Sequence, residues 1–346
     1  WLELHPAPDT ATLQSDDSAL LVADLSDWKS LFEGSNLHKL EESIFPAYIP
    51  RQRWFGNKSA EIRNTSVMDW GKLNGSSAIF CLIQVAYESG KPDRYFLPMT
   101  IAFGAAAQKL RDTAAASILS TVLSPSGEGV LYDATYDARS CQELLSTIQN
   151  SSVSALQRGT VKGAASSALA GLLAMPKESA GNLLAPTHGS AEQSNTSVLF
   201  GDRLILKLFR HPEPGLNPDC EIGKFLTEET RFLNVPPFGG SIEYLHEDQV
   251  PTTLAMLQGL VANQGDGWKW MLEELERYYE NNAQDTVPAD ELVDVIQDNV
   301  SLGTVRASAF AFDHAGVAIN AATVLGKRTA EMHLALASSK TNEAFS

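Results

Sequence analysis

The sequence predicts an α+β protein, in which strands and helices to about residue 150 precede, from residue 192, a small antiparallel sheet with one inserted helix and then helices only. Three observations carry this. Residues 77–103 and 192–261 are dense in Val, Ile, Leu, Phe and Tyr and are broken by turn chemistry such as Ser89-Gly90-Lys91-Pro92-Asp93. The segment "NPDCEIGKFLTEE" from Asn217 carries helix-start signals. From Gly267 onward apolar residues recur at helical spacing.

Taken in order, "WLELH" at the start reads as the end of a strand, followed by a polar linker to residue 25. "SDWKSLFEGSNLHKLEESIFPAYI" (26–49) has helical spacing at Leu37, Leu40, Ile44 and Phe45, limited by Pro46 and Pro50. "SAIFCLIQVAYES" (77–89) and "DRYFLPMTIAF" (93–103) read as a hairpin, "EGVLYDATYD" (128–137) as a strand and "ARSCQELLSTIQ" (138–149) as a helix. Residues 151–185, rich in Ala, Ser and Gly, read as a mobile connector in which "SALAGLLAM" has helical character. "TSVLF" and "RLILKLF" read as strands joined by a two-residue turn at Gly201-Asp202. Asn217 is the expected N-cap of the next helix, with Pro218 first and Asp219 and Glu221 at its positive end. Two further strands with a turn at "HEDQ" lie within 235–261, and helices are expected at 267–282, 289–300 and 314–338.

Length and charge bound the function. A chain of 346 residues is long enough for two or three domains. Its net charge of −16, from 26 Lys and Arg against 42 Asp and Glu, argues against nucleic acid and anionic membranes as partners. No apolar run approaches the ~20 residues of a membrane span. Cys81, Cys141 and Cys220 form no CxxC pair and no metal-ligand spacing, which reads as a reducing, cytoplasmic setting. The chain starts at Trp1 without a signal-peptide pattern, and is expected to be cut from something longer.

The strongest chemical signal is Lys207, set inside the apolar run "RLILKLF" and followed by Glu221 on a helix. A lone ammonium is expensive to desolvate, so it needs a partner or a ligand. Lysine on a strand with glutamate on the next helix is the arrangement a kinase uses to hold α/β-phosphate oxygens. A structural Lys–Glu pair, or a lysine extending from an edge strand to water, satisfies the same spacing. "FGNKS" (55–59) lacks the glycine and the Gly-Lys pair of a P-loop, and neither G-x-G-x-x-G nor G-x-S-x-G occurs. Trp54 and Phe55 read as core anchors, and His333 as a packing or surface residue.

At "EQSNTSVLFGDRLILKLFRHPEPGLNPDCEIGKFL" (192–226) the sequence resembles the maltokinase family. "RQRWFGNKS" (51–59) is similar to that family's N-terminal cap motif, "PTTLAMLQGLVANQGDGW" (251–268) to its interlobe hinge, and "LGKRTAEMHLALAS" (325–338) to a later helix. The resemblance implies an aminoglycoside-phosphotransferase/protein-kinase-like fold with an N-terminal cap of strands and helices. It implies ATP with Mg²⁺ as cofactors, maltose as acceptor and maltose 1-phosphate as product. Lys207 is then the phosphate-binding lysine and Glu221 its partner. Ser194, Asn195, Thr196 and Ser197 cover the phosphates, Gln258, Gly259, Leu260 and Val261 form the adenine hinge, and Asp266 lies near the ribose. "WLELHPAP" resembles the last strand of a trehalose synthase, a fused or associated partner.

The implied organisation is a trehalose-synthase-like tail and linker at 1–25, the cap at 26–104, an intermediate region at 105–190, an N-lobe with hinge at 191–262 and the start of a helical C-lobe at 263–346. The family's His-Gly-Asp-x-His catalytic loop does not occur in the sequence. The catalytic base and metal ligands are therefore expected beyond Ser346, in a truncated fold inactive by itself. Two alternatives remain: a non-catalytic cap or scaffold module of a trehalose synthase fusion, and a small-molecule kinase with another acceptor.

Overall fold

The computed structural model describes residues 20–23, 28–73, 76–174, 184–189, 194–246, 250–283, 309–340 and 342–345. The expected strand at 1–5 and the helix at 289–300 lie outside the described residues. The chain is mixed α+β and divides into two compact units: residues 1–224 with 237–260, and residues 225–236 with 261–346.

The first unit carries two sheets. One comprises β1 (Leu21–Val22), β2 (Ile62–Lys72), β3 (Ile79–Tyr87), β4 (Asp93–Phe103), β5 (Ile118–Ser124) and β6 (Gly127–Asp133), in the order β1-β5-β6-β4-β3-β2. All neighbours are antiparallel except β1 with β5. The other comprises β7 (Val153–Ala155), β8 (Gly159–Ala165), β9 (Pro186–His188), β10 (Asn195–Phe200), β11 (Leu204–Phe209), β12 (Phe238–His246) and β13 (Thr252–Gly259). Its order is β7-β8-β12-β13-β11-β10-β9, and every pair is antiparallel.

The sequence of β3, "IFCLIQVAY", lacks the alternation of a half-exposed strand because both of its faces are covered. Ile79, Cys81, Ile83 and Val85 face a core with Phe45 and Tyr48 of the short helix α2 (Phe45–Tyr48), which follows α1 (Gly34–Lys39), and with Trp54 and Phe55 from the loop after α2. Phe80 and Leu82 face a second core, with Leu144, Leu145 and Ile148 of α4 (Ala138–Gln149) and Leu204, Leu206 and Leu208 of β11. A ten-residue helix, α3 (Gly104–Thr113), connects β4 to β5, and α5 (Leu169–Ala174) follows β8. Trp54 and Phe55 are thus the core anchors expected from sequence.

Three differences from the sequence reading have physical causes. Residues 153–165 are not connector: β7 and β8 join the second sheet beside β12. Small residues are required there because β8 runs against α4; a Cβ on Gly163 would sit 2.0 Å from the Thr147 carbonyl oxygen. The β10–β11 turn spans three residues, since Phe200 pairs with Leu204, and Gly201 supplies the left-handed φ of 59°. The helix expected over 26–49 is broken into short segments, with a wide turn at Leu40–Ile44 between α1 and α2.

The helix α6 (Pro218–Glu228) begins where its signals predict. Asn217 Oδ1 accepts the Asp219 amide at 3.0 Å. In the second unit, α7 (Gly267–Asn282) starts on Asp266, whose side chain accepts the Lys269 amide at 2.8 Å. It touches α8 (Ala309–Leu336), which is interrupted at Ala315. Within that unit Phe225 stacks on Phe345, while Trp268, Leu272, Tyr279 and Leu325 are exposed. No helix among the described residues is long and apolar enough to cross a membrane.

Candidate functional site

The hairpin β10–β11 presents different chemistry on its two faces, and the alternation of strand side chains explains how. Leu204, Leu206 and Leu208 point into the core shared with α4. Lys207 therefore points the other way, opposite Ser197 on β10 and Met256 on β13. On that face Phe209, Met256 and Phe238 meet Cys220 of α6, and Gly223 also approaches Met256. The helix carrying Glu221 thus covers the face that carries Lys207. Among the described residues the ion pairs do not include one between Lys207 and Glu221. Lys207 has interactions of its own, and Glu221 is half-buried beside Cys220.

Ser197 is buried on this face, and its hydroxyl has no hydrogen-bond partner. A buried hydroxyl without a partner beside a lysine is a ready donor to an anionic ligand. Burial, and next the Glu243 carboxylate, push the Cys220 thiol up to about 12, so it stays protonated.

The other expected site residues are distributed as follows. Ser194 is exposed just before β10, and Asn195 and Thr196 begin the strand. Thr196 pairs with Leu208 and so faces away from Lys207. Gln258 and Gly259 end β13. The Gly259 amide donates to Pro237 O at 2.8 Å and the Leu260 amide to Arg203 O at 2.7 Å, so neither donates to a ligand in this geometry. Val261 and Asp266 are exposed in the second unit, and Asp266 caps α7. Among the described residues no group of three or more His, Cys, Asp or Glu is placed to hold a metal ion.

A site that the sequence reading missed lies on the opposite face. Arg210, one residue past β11, is fully buried. Its Nη2 donates to Asp133 Oδ2 at 2.6 Å and to Thr135 Oγ1 at 3.1 Å, and its Nε to Thr196 Oγ1 at 2.8 Å. Its guanidinium also lies over the Trp54 ring, 5.4 Å from the centroid. Arg210, Asp133, Thr196 and Trp54 wall a cavity of about 320 Å³ whose lining includes Arg51, Arg53, His188 and Gly189. Desolvation lowers the basicity of His188, with the Asp133 carboxylate opposing it, and its ring stacks on Tyr136 at 4.2 Å. The signal was present in the sequence: Arg210 has the inward parity of Leu204, Leu206 and Leu208, and two arginines flank Gln52 in "RQRWFG".

Residues 48–137 match the family model of the maltokinase N-terminal cap domain. The match contains "RQRWFGNKS" and runs later at both ends than the 26–104 segment assigned from sequence. Among solved structures, a glucosamine kinase in complex with glucosamine, ADP and inorganic phosphate aligns at 16% identity and a TM-score of 0.44, over 85% of this chain and 50% of that one. A second glucosamine kinase structure, crystal form A, aligns at 16% identity and a TM-score of 0.43, over 86% and 51%. The chain spans about half the length of the solved structures it matches.

Proposed function

We propose that the chain is the cap, N-lobe and first C-lobe helices of a maltokinase-type phosphotransferase, which moves the γ-phosphoryl group of ATP to O1 of maltose. The match of residues 48–137 to the maltokinase cap carries this reading. The face of β10–β11 supports it, since Lys207 lies opposite the unpartnered Ser197 hydroxyl on the side covered by α6. In this reading Lys207 neutralises α/β-phosphate oxygens and Ser197 donates a hydrogen bond to one of them. Glu221, on the helix over that face and without an ion pair to Lys207 among the described residues, becomes the partner of the lysine when nucleotide is bound. ATP supplies the phosphoryl group; the maltose O1–H loses its proton as the O–P bond forms and ADP leaves. The sequence has no His-Gly-Asp-x-His segment, so the 346-residue chain alone is expected to form no maltose 1-phosphate.

The test is nucleotide binding by calorimetry, with wild type compared to Lys207→Ala, alongside maltose 1-phosphate formation by a longer protein carrying the same substitution. The expected result is at least tenfold weaker ATP binding and strongly reduced turnover, at an unchanged melting temperature. A variant that melts lower yet binds and turns over normally would make Lys207 a structural residue and overturn its assignment to the site.

A further inference from the structure

We propose that the cavity between the "RQRW" segment and the Thr196–Arg210 end of the inward face of β10–β11 is a second anion site, which takes inorganic phosphate or a small phosphomonoester. It is separate from the Lys207 face and does not depend on the kinase reading.

The central observation is an incomplete hydrogen-bond set. Arg210 is fully buried, and while Nε and Nη2 are satisfied, Nη1 has no partner. A charged donor held out of water without an acceptor carries a desolvation cost that nothing offsets. A ligand oxygen would remove that cost. A second orphan lies close by: the Tyr48 hydroxyl is buried without a partner, near enough to Asp133 and Arg210 for both to act on its acidity.

Charge gives the sign of the ligand. Arg51, Arg53 and Arg210 line the cavity, and the one carboxylate among the lining residues, Asp133, is already engaged. Its Oδ1 accepts from the Thr135 amide and hydroxyl, and its Oδ2 from Arg210. His188, also in the lining, has its basicity lowered by desolvation although its side chain is exposed. The cavity is thus cationic in a chain of net charge −16, so the positive charge is local to this site. Arg51 and Arg53 are exposed, and planar guanidinium forks suit the tetrahedral oxygens of a phosphate.

Size widens the class. About 320 Å³ is more than one phosphate fills and is at the lower end of small-molecule pockets. The side chains of Gln52 and Asn195 and the exposed Tyr136 ring offer contacts to the hydroxylated remainder of a phosphomonoester. The site is distinct from the Lys207 face because Thr196, which binds Arg210, pairs with Leu208, while Lys207 pairs with Ser197.

The experiment is isothermal titration of the chain with inorganic phosphate and, separately, with glucose 1-phosphate, at constant ionic strength. Arg51→Gln/Arg53→Gln removes the exposed arginines without touching the core, and Lys207→Ala serves as the control for the other face. The expected result is saturable binding that is at least tenfold weaker in the double variant and unchanged in Lys207→Ala. Tighter binding of glucose 1-phosphate would assign the cavity to phosphomonoesters, and equal binding to phosphate itself. No saturable binding, equal binding by the wild type and the double variant, or loss of binding in Lys207→Ala would overturn the proposal. Since Lys207→Ala is silent here but decisive for nucleotide, failure of either reading leaves the other standing.

Discussion

Removing Asp133 tests how completely the pair that joins the end of β6 to the end of β11 is desolvated. The Arg210–Asp133 bridge is 2.6 Å long, with side chains 1% and 2% exposed. Asp133→Ala leaves the guanidinium in the core with only Thr196 and Thr135 as partners, and strips the Thr135 amide and hydroxyl of their acceptor. Breaking a buried pair from one side costs about 3–5 kcal/mol, because the surviving charge is uncompensated. For a unit of this size each kcal/mol shifts the melting temperature by about 2–4 °C, so a drop of about 6–20 °C is expected. The assay is thermal unfolding of wild type, Asp133→Ala, Arg210→Met and the double variant. The double variant should be more stable than the sum of the single losses predicts, by at least ~1 kcal/mol, because no lone charge remains buried. A drop below ~3 °C in Asp133→Ala, or strict additivity, would refute the view that the charges of this pair are desolvated.

Two further outcomes follow from groups outside the cavity. Tyr244 on β12 donates to Asp69 Oδ2 on β2 at 2.8 Å, a bond that ties the two sheets together, and Asp69 is buried. Tyr244→Phe should cost about 1.5–3 kcal/mol in urea unfolding, the range for a hydrogen bond to a charged group, and a loss under ~0.5 kcal/mol would mean water replaces the phenol. Burial pushes the Cys141 and Cys220 thiols up to about 12, from roughly 8.5 in an unfolded chain. The stability from keeping them protonated is complete below roughly pH 8.5 and is lost as pH rises toward 12. Ellman's reagent at pH 8 should therefore leave the native protein nearly unlabelled and label three thiols in guanidinium; rapid native labelling would contradict that burial.

The parts of the fold legible in the sequence are those whose pattern matches a single cause. The β3–β4 hairpin, α4 and the capped start of α6 were readable because apolar density, helical spacing and capping chemistry each act locally. β8 was not, because its sequence, "GTVKGAA", is shaped by its neighbour. Gly163 is small to admit the Thr147 carbonyl of α4, and a chain read in isolation takes such residues for a connector. Lys207 stood out as a charge in an apolar run. Arg210 did not, since it sits where the run ends beside His211 and Pro212 and looks like a solvated flank. Only the parity of the strand, and the Asp133 that the fold brings from 77 residues away, make it a core residue.

The position of Arg210 requires arginine rather than a generic cation. Its side chain reaches three separate segments at once: Thr196 at the start of β10, Asp133 and Thr135 at the end of β6, and the Trp54 ring beside the short helices. A lysine ammonium has three donors at one point and no plane to lay on an indole, so it could not satisfy acceptors on two sides while stacking. Thr196 and Ser197 are consecutive residues on opposite faces, and the β10–β11 ladder fixes both at once: the register that sets Ser197 opposite Lys207 also delivers Thr196 to Arg210. A one-residue slip would exchange the two faces and lose both arrangements together. The Thr196–Arg210–Asp133 contact therefore pins the register on which the Lys207 face depends, so the end of β6 helps to set the arrangement on the far side of the second sheet.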